Sequence, residues 1–144
     1  MPTVRRVRTL AADPEALWAV VADPHHLPRY WPRVRRVEDV RDDAFTLVLV
    51  SDRGRAVRAD FVVVEHEPPR RRSWRQQLAG TPFERILTES QTTVDIAPAP
   101  EGSTVTLELR QRGRGLARLG GFMLRRAGRV QLDEALDGVA GICG

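Results

Sequence analysis

The 144-residue chain predicts an α+β domain, with an antiparallel sheet, short helices near the start and a long C-terminal helix. Three observations predict it. From residue 34 to residue 112, short alternating apolar and polar runs are separated by tight-turn signals, the pattern of an antiparallel meander. Residues 115–142 carry apolar side chains at helical spacing instead. Between them and the first strand, Pro24, Pro28 and Pro32 allow at most two helical turns over 24–32.

The elements follow in order. "TVRRVRTL" (3–10) is the first strand. "DPEALWAVVAD" (13–23) is a short helix: Asp13 can cap it, Pro14 suits the first helical position, and Glu15 suits its positive end. Leu17, Val20 and Val21 share one face, with Trp18 beside it, and Pro24 stops the helix. A short helix or turn occupies 24–32, and Trp31 is biased away from helix because Pro32 follows it. Strands are then expected at 34–40, 44–52, 55–67, 72–80, 85–98 and 103–112. Arg53–Gly54 marks a hairpin and Pro68–Pro69 a turn. In the last segment, Leu116, Leu119, Met123, Ala127 and Val130 form one stripe. Leu124, Leu132, Leu136 and Val139 form a second beside it, so the helix must be wrapped by something. Gly120, Gly121 and Gly128 each cost it about 1 kcal/mol against alanine. Such glycines either allow close backbone packing or leave space.

Composition bounds the function. One domain is expected at this length. The longest apolar runs, "FTLVLV" (45–50) and "FVVV" (61–64), are too short to span a bilayer. "MPTVRRVRTL" lacks the apolar core of a signal peptide. A cytoplasmic protein without an integral membrane segment is therefore expected. Cys143, the single cysteine, permits no disulfide within the chain and lacks a fixed partner for nucleophilic chemistry. All 23 basic residues are arginine, against 19 acidic ones. The acids are interspersed, as in "RVEDVRDD" (36–43). Arg70–Arg71–Arg72 has no aromatic–basic ladder beside it and is expected to be a solvated turn, so nucleic acid is not an expected partner.

"AADPEALWAVVADPHHLPRYWPRV" (11–34) resembles the start of the START-like, or SRPBCC, superfamily, closest to its polyketide cyclase/dehydrase branch. The shared marks are the Pro-Glu helix start, the Leu-Trp of the first helix, the Ala-Asp-Pro and the Trp-Pro after the second. "WRQQLAGTPFER" (74–85) is similar to that branch's strand–Gly-x-x-Phe hairpin, and "EGSTVTLEL" (101–109) to its Gly-x-Thr strand. The resemblance covers essentially the whole chain. It implies the helix-grip fold: a curved sheet of about six to seven strands wrapped around the long helix, with two short helices after the first strand. It also implies a mostly apolar cavity between sheet and helix, used on hydrophobic ligands. One position departs, since Ser90 stands near where cyclase relatives carry a tryptophan.

Alternation then sorts the strand residues. Val57, Ala59, Phe61 and Val63 form one inner set, and Trp74, Gln76 and Leu78 another. Val105, Leu107 and Leu109 share a face. Ile86, Thr88, Ser90, Thr92, Val94 and Ile96 are the inner set of 86–96, with Glu89 outside. Such a wall has almost no ionisable group, which suits a bound apolar ligand better than acid–base chemistry. His25 and His26 are adjacent and point about 100° apart on a helix, and no ligand spacing involves His66. No metal and no cofactor is expected, and a polar lid surface is the expected role of the pair.

The expected ligand-binding residues are Tyr30, Trp31, Phe61, Trp74, Gln76, Phe83, Ser90 and Met123, with no catalytic residue assigned. The expected partner is a small hydrophobic molecule: a lipid, polyketide or aromatic. The alternative is a cyclase/aromatase- or dehydrase-like enzyme, which needs Arg58, Arg85 or Glu89 to face inward. A third reading has the arginine-rich surface bind a partner. If the chain self-associates, a homodimer is the expected assembly.

Overall fold

The computed structural model describes residues 3–51, 53–115 and 121–143. Seven antiparallel strands form one sheet in the order β1-β7-β6-β5-β4-β3-β2. They are β1 (Thr3–Leu10), β2 (Val34–Glu38), β3 (Ala44–Val50), β4 (Ala56–Glu67), β5 (Arg71–Gln77), β6 (Leu87–Ala99) and β7 (Gly102–Gly113). The helices are α1 (Pro14–Val21), α2 (Leu27–Tyr30), which follows a 3-10 turn at Pro24–His26, and α3 (Gly121–Cys143). Consecutive strands from β2 to β7 pair with their neighbours, and the first strand closes the far edge beside the last. This is the helix-grip arrangement that the alternating runs and the terminal helix predict.

Local chemistry explains the boundaries. The Asp13 carboxylate accepts from the Ala16 amide at 2.8 Å, capping α1. Asp23 does the same for the His25 amide at 3.0 Å, which starts the 3-10 turn where Pro24 has ended α1. Trp31 is extended, as the following proline requires, and ends α2. Gly54 turns the β3–β4 hairpin with a φ of 76°, a conformation glycine adopts without steric cost.

Two expectations need correction. The inner set of 86–96 holds only from Ser90 onward. A register shift between Leu87 and Glu89 inserts an extra residue, so Leu87 is buried while Ile86 and Thr88 are exposed. Nor is the arginine run a solvated turn. Arg70 is exposed beside Glu67, but Arg71 opens β5 between Glu65 and Asp95, and Arg72 is buried. Alternation from Trp74 places Arg72 on the inner side. There its Nη1 donates to His66 Nδ1 at 2.9 Å, and burial pulls its pKa down. Leu116 and Leu119, expected in the first stripe of α3, lie outside the described residues.

The core sits between the sheet and the C-terminal half of α3. Leu132, Ala135, Leu136 and Val139 are buried with Val105, Leu107, Val94 and Leu17. Two glycines set the approach of α3. A Cβ on Gly128 would lie 3.2 Å from Val4 Cγ2, and one on Gly138 would lie 2.6 Å from the Tyr30 backbone. At Gly141 a Cβ would meet nothing within 4 Å. Gly138→Ala is therefore expected to destabilise the protein by about 1–3 kcal/mol in urea unfolding. Gly141→Ala should be neutral, or stabilising by up to about 1 kcal/mol.

The outer face of the sheet is braced by ions. Arg71 donates to Glu65 at 2.8 Å and to both Asp95 oxygens at 2.8 and 2.9 Å. The hydrogen bond from Arg71 holds the Glu65 carboxyl below its usual range. A carboxylate depressed in the folded state adds stability above its unfolded pKa, and that stability disappears as pH falls through the folded value. Glu65→Gln should therefore leave a thermal-unfolding profile less sensitive to pH below about 4.5, with most of its cost appearing near neutrality.

Candidate ligand cavity

Between the inner face of the sheet and the N-terminal half of α3 lies a cavity of about 710 Å³. That volume is within the range of small-molecule sites. One wall is apolar: Trp31, Leu47, Leu49, Val57 and Phe61. Beside it, on the same face of the sheet, runs a polar belt made by strand register. Phe61 pairs with Gln76, and the next residue along from the Arg75–Gln91 pair brings Gln76 opposite Ser90. Ser90 pairs in turn with Gln111. Gln76, Ser90 and Gln111 all line the cavity, with Thr92 one step deeper in the strand pattern. Gln111 Nε2 donates to Ser90 Oγ at 3.3 Å. Gln76 Nε2 is buried and has no hydrogen-bond partner.

The helix supplies the third side. Met123, Ala127 and Val130 line the cavity but remain exposed to solvent rather than packing on the sheet. This resolves the wide apolar arc of α3: one stripe is core, and the other faces open space. Phe83, from the 3-10 turn at Pro82–Arg85, completes the lining.

Of the eight expected ligand contacts, Trp31, Phe61, Gln76, Phe83, Ser90 and Met123 line this space. Tyr30 and Trp74 do not. Tyr30 is 4% exposed and its hydroxyl donates to the Val21 carbonyl at 3.2 Å, tying α2 to α1; burial pushes its pKa up. Trp74 is 3% exposed and lies behind the wall, edge-on to Trp31 at 6.2 Å and to Phe45 at 6.3 Å between ring centroids. Phe45 stacks on Phe61 at 5.4 Å. The rings thus form a continuous backing, with Trp31 and Phe61 as the faces presented to the cavity.

Strand alternation missed the charged part of the lining. Arg33, Arg126 and Glu134 border the cavity, and all three are exposed, which places them at its mouth. Arg126 and Glu134 extend the Met123–Ala127–Val130 stripe at helical spacing, so the signal was present in the helix rather than in the strands. Gln111 continues the Leu107–Leu109 alternation in the same way.

Arg58, Arg85 and Glu89 do not line the cavity. Arg58 bonds Glu38 and Asp39 on the outer face, and Glu89 bonds Arg110 at 3.0 Å. The histidines lie elsewhere. The His25 ring bonds Asp23 at 2.9 Å, the His26 ring meets Arg29 at 3.1 Å, and His66 packs on Trp18 at 5.5 Å. Burial opposes the shift, but the amide and ring of His25 hold the Asp23 carboxyl below its usual range. Among the described residues no group of three metal-ligating side chains occurs, and no helix is long and apolar enough to cross a membrane.

An antiparallel sheet, a gripped C-terminal helix and a cavity between them define a protein of the helix-grip class. Sequence and structure comparisons then give the family. The chain belongs to the family described as polyketide cyclase/dehydrase and lipid transport, whose model matches residues 1–142. A START superfamily protein from Mycobacterium smegmatis superposes with a TM-score of 0.79 at 14% identity, covering 98% of this chain and 96% of that one. A protein from Deinococcus radiodurans is 24% identical, with a TM-score of 0.63 over 95% of this chain and 99% of that one. The di-domain ARO/CYC StfQ of the steffimycin biosynthetic pathway superposes at 0.81 and 16% identity, covering 99% of this chain and 50% of that one. No curated protein matches the sequence.

A buried amide N–H without a partner costs stability, about 1–3 kcal/mol. Gln76→Leu is therefore expected to leave the melting temperature of the ligand-free protein unchanged or higher, whereas most polar-to-apolar changes at a hydrogen-bonded site lower it.

Proposed function

We propose that the protein binds a small hydrophobic ligand, a lipid, polyketide or aromatic, in the cavity between sheet and α3. The observation that carries this reading is the unpacked stripe of α3. Met123, Ala127 and Val130 face the apolar wall of Trp31, Leu49 and Phe61 across open space, and Met123 is 58% exposed. Filling that space with an apolar molecule removes area from water on both sides, worth roughly 25 cal/mol per Å² before association costs. Gln76 and Ser90 then hydrogen-bond an oxygen or nitrogen of the ligand and set its orientation. Tyr30 and Trp74 act behind the wall, holding Trp31 in place.

A second reading has the same ligand transformed as well as bound, in the manner that the name of the ARO/CYC relative suggests for that protein. Glu134 favours it as a carboxylate at the mouth that forms no ion pair among the described residues. It would serve as a general base on a ligand held by the polar belt.

Native against denaturing mass spectrometry of freshly purified protein tests binding. An apolar mass should be released on denaturation and be retained at least about tenfold less well by Ala127→Phe, which fills the cavity from the helix side. A protein that carries no such mass, and shows no thermal shift with a panel of lipids and aromatics, would exclude the proposal. A released compound chemically altered by wild type but not by Glu134→Gln would select the second reading.

A further inference from the structure

We propose that the cavity mouth is a docking surface for an anionic lipid bilayer. The inference goes beyond ligand binding and is tested without any ligand.

The strand registers gather the relevant segments at one end of the sheet. β3, β5 and β7 all run toward it. The end comprises the β3–β4 hairpin beyond the Val50–Ala56 pair, the β5–β6 connection (78–86), and the end of β7, where Gly113 pairs with Leu87. The first turns of α3, from Gly121, belong to the same end. Ser51, Phe83, Met123 and Arg126 from these segments line the cavity, so this end is its mouth.

Charge is polarised along this axis. The mouth segments contribute Arg55, Arg85, Arg114, Arg125 and Arg126, and none of these forms an ion pair among the described residues. Against them stand Glu84, which accepts from the Gly80 amide at 2.9 Å, and Glu134, two turns further along α3 at the cavity rim. The opposite end is acidic, with Asp39, Asp42 and Asp43 between β2 and β3 and Glu101 between β6 and β7, against Arg41 and Arg70. Several arginines along the strands are neutralised in ion pairs, as in Arg5–Glu108, Arg71–Asp95 and Arg110–Glu89.

Apolar side chains stand among these arginines. Phe122 is 63% exposed, Met123 58% and Ile86 52%. Basic residues flanking exposed apolar ones suit a bilayer interface: the arginines meet phosphates while the apolar groups enter the acyl boundary. Ile86 and Met123 have no flat ring for base stacking, so this mixture fits a membrane better than a nucleic acid.

The test is co-sedimentation of the full chain with vesicles of phosphatidylcholine, alone or with about 30% phosphatidylglycerol, at about 50 and 500 mM NaCl. The protein should pellet with the anionic vesicles at low salt and be released at high salt. Arg85→Glu combined with Arg125→Glu, both exposed, should weaken binding about tenfold or more. Phe122→Ser should weaken it without changing its salt dependence, and Arg41→Glu at the far end should leave it unchanged. Equal pelleting with neutral vesicles, no pelleting at low salt, or an Arg41→Glu loss as large as the mouth variant's would overturn the proposal. So would salt-dependent binding to an RNA oligonucleotide by protein that ignores the vesicles. None of these failures bears on whether the cavity holds a ligand.

Discussion

The constraint on which the rest depends is the line of contact between α3 and the rest of the fold. Leu132, Ala135, Leu136 and Val139 must leave water, and they do so against β1, β7 and the two short helices. Gly128 and Gly138 let the helix come to van der Waals distance of Val4 and of the Tyr30 backbone. Pinned along that line, α3 covers one side of a curved sheet and stands off the other. The gap over β3, β4 and β5 is the cavity. Its existence follows from where the helix is held, and its apolar lining follows from the same alternation that makes each strand half-buried.

The wall of that gap is stiffened by stacked and edge-on rings. Tyr30, Trp31, Trp74, Phe45 and Phe61 run in sequence with centroid separations between 5.4 and 6.3 Å. Large rings with few rotatable bonds lose little entropy on burial and hold the shape of an empty space better than flexible aliphatics. Beside them on the same face of the sheet the amides and hydroxyls of Gln76, Ser90 and Gln111 form the polar side. A cavity with one apolar and one hydrogen-bonding wall orients its occupant, because rotating the ligand would bury unsatisfied polar groups against rings.

The arginine content gains meaning only through this geometry. Half-exposed ion pairs on the outer face, such as Arg71 with Glu65 and Asp95, consume part of it. Among the described residues, Arg55, Arg85, Arg114, Arg125 and Arg126 form no ion pair and come together at one end of the sheet. A net charge of +4 understates the local field there, because Asp39, Asp42, Asp43 and Glu101 lie at the opposite end of the sheet.

Much of the fold was legible in the residues. Alternation located every strand to within a few positions, and Asp13, Pro14, Pro24 and Pro32 bounded the helices, since caps and prolines act through adjacent backbone groups. The inner positions of β4 and β5 were legible too, so Phe61 and Gln76 were found. Tyr30 and Trp74 were assigned to the cavity although they stand behind its wall, because aromatic identity marks burial but not which side of a ring faces the space. Ile86 and Thr88 were misplaced by a bulge, which one extra residue creates and no periodicity announces. Arg126 and Glu134 reach the cavity only because α3 lies across the sheet at a set distance.

The sequence by itself determined the elements and their buried faces, because these depend on interactions within a few residues. The tertiary structure alone decided that α3 leaves a gap, which arginines meet carboxylates, and where the polar belt meets the cavity. Each of those depends on contacts between residues far apart in the chain.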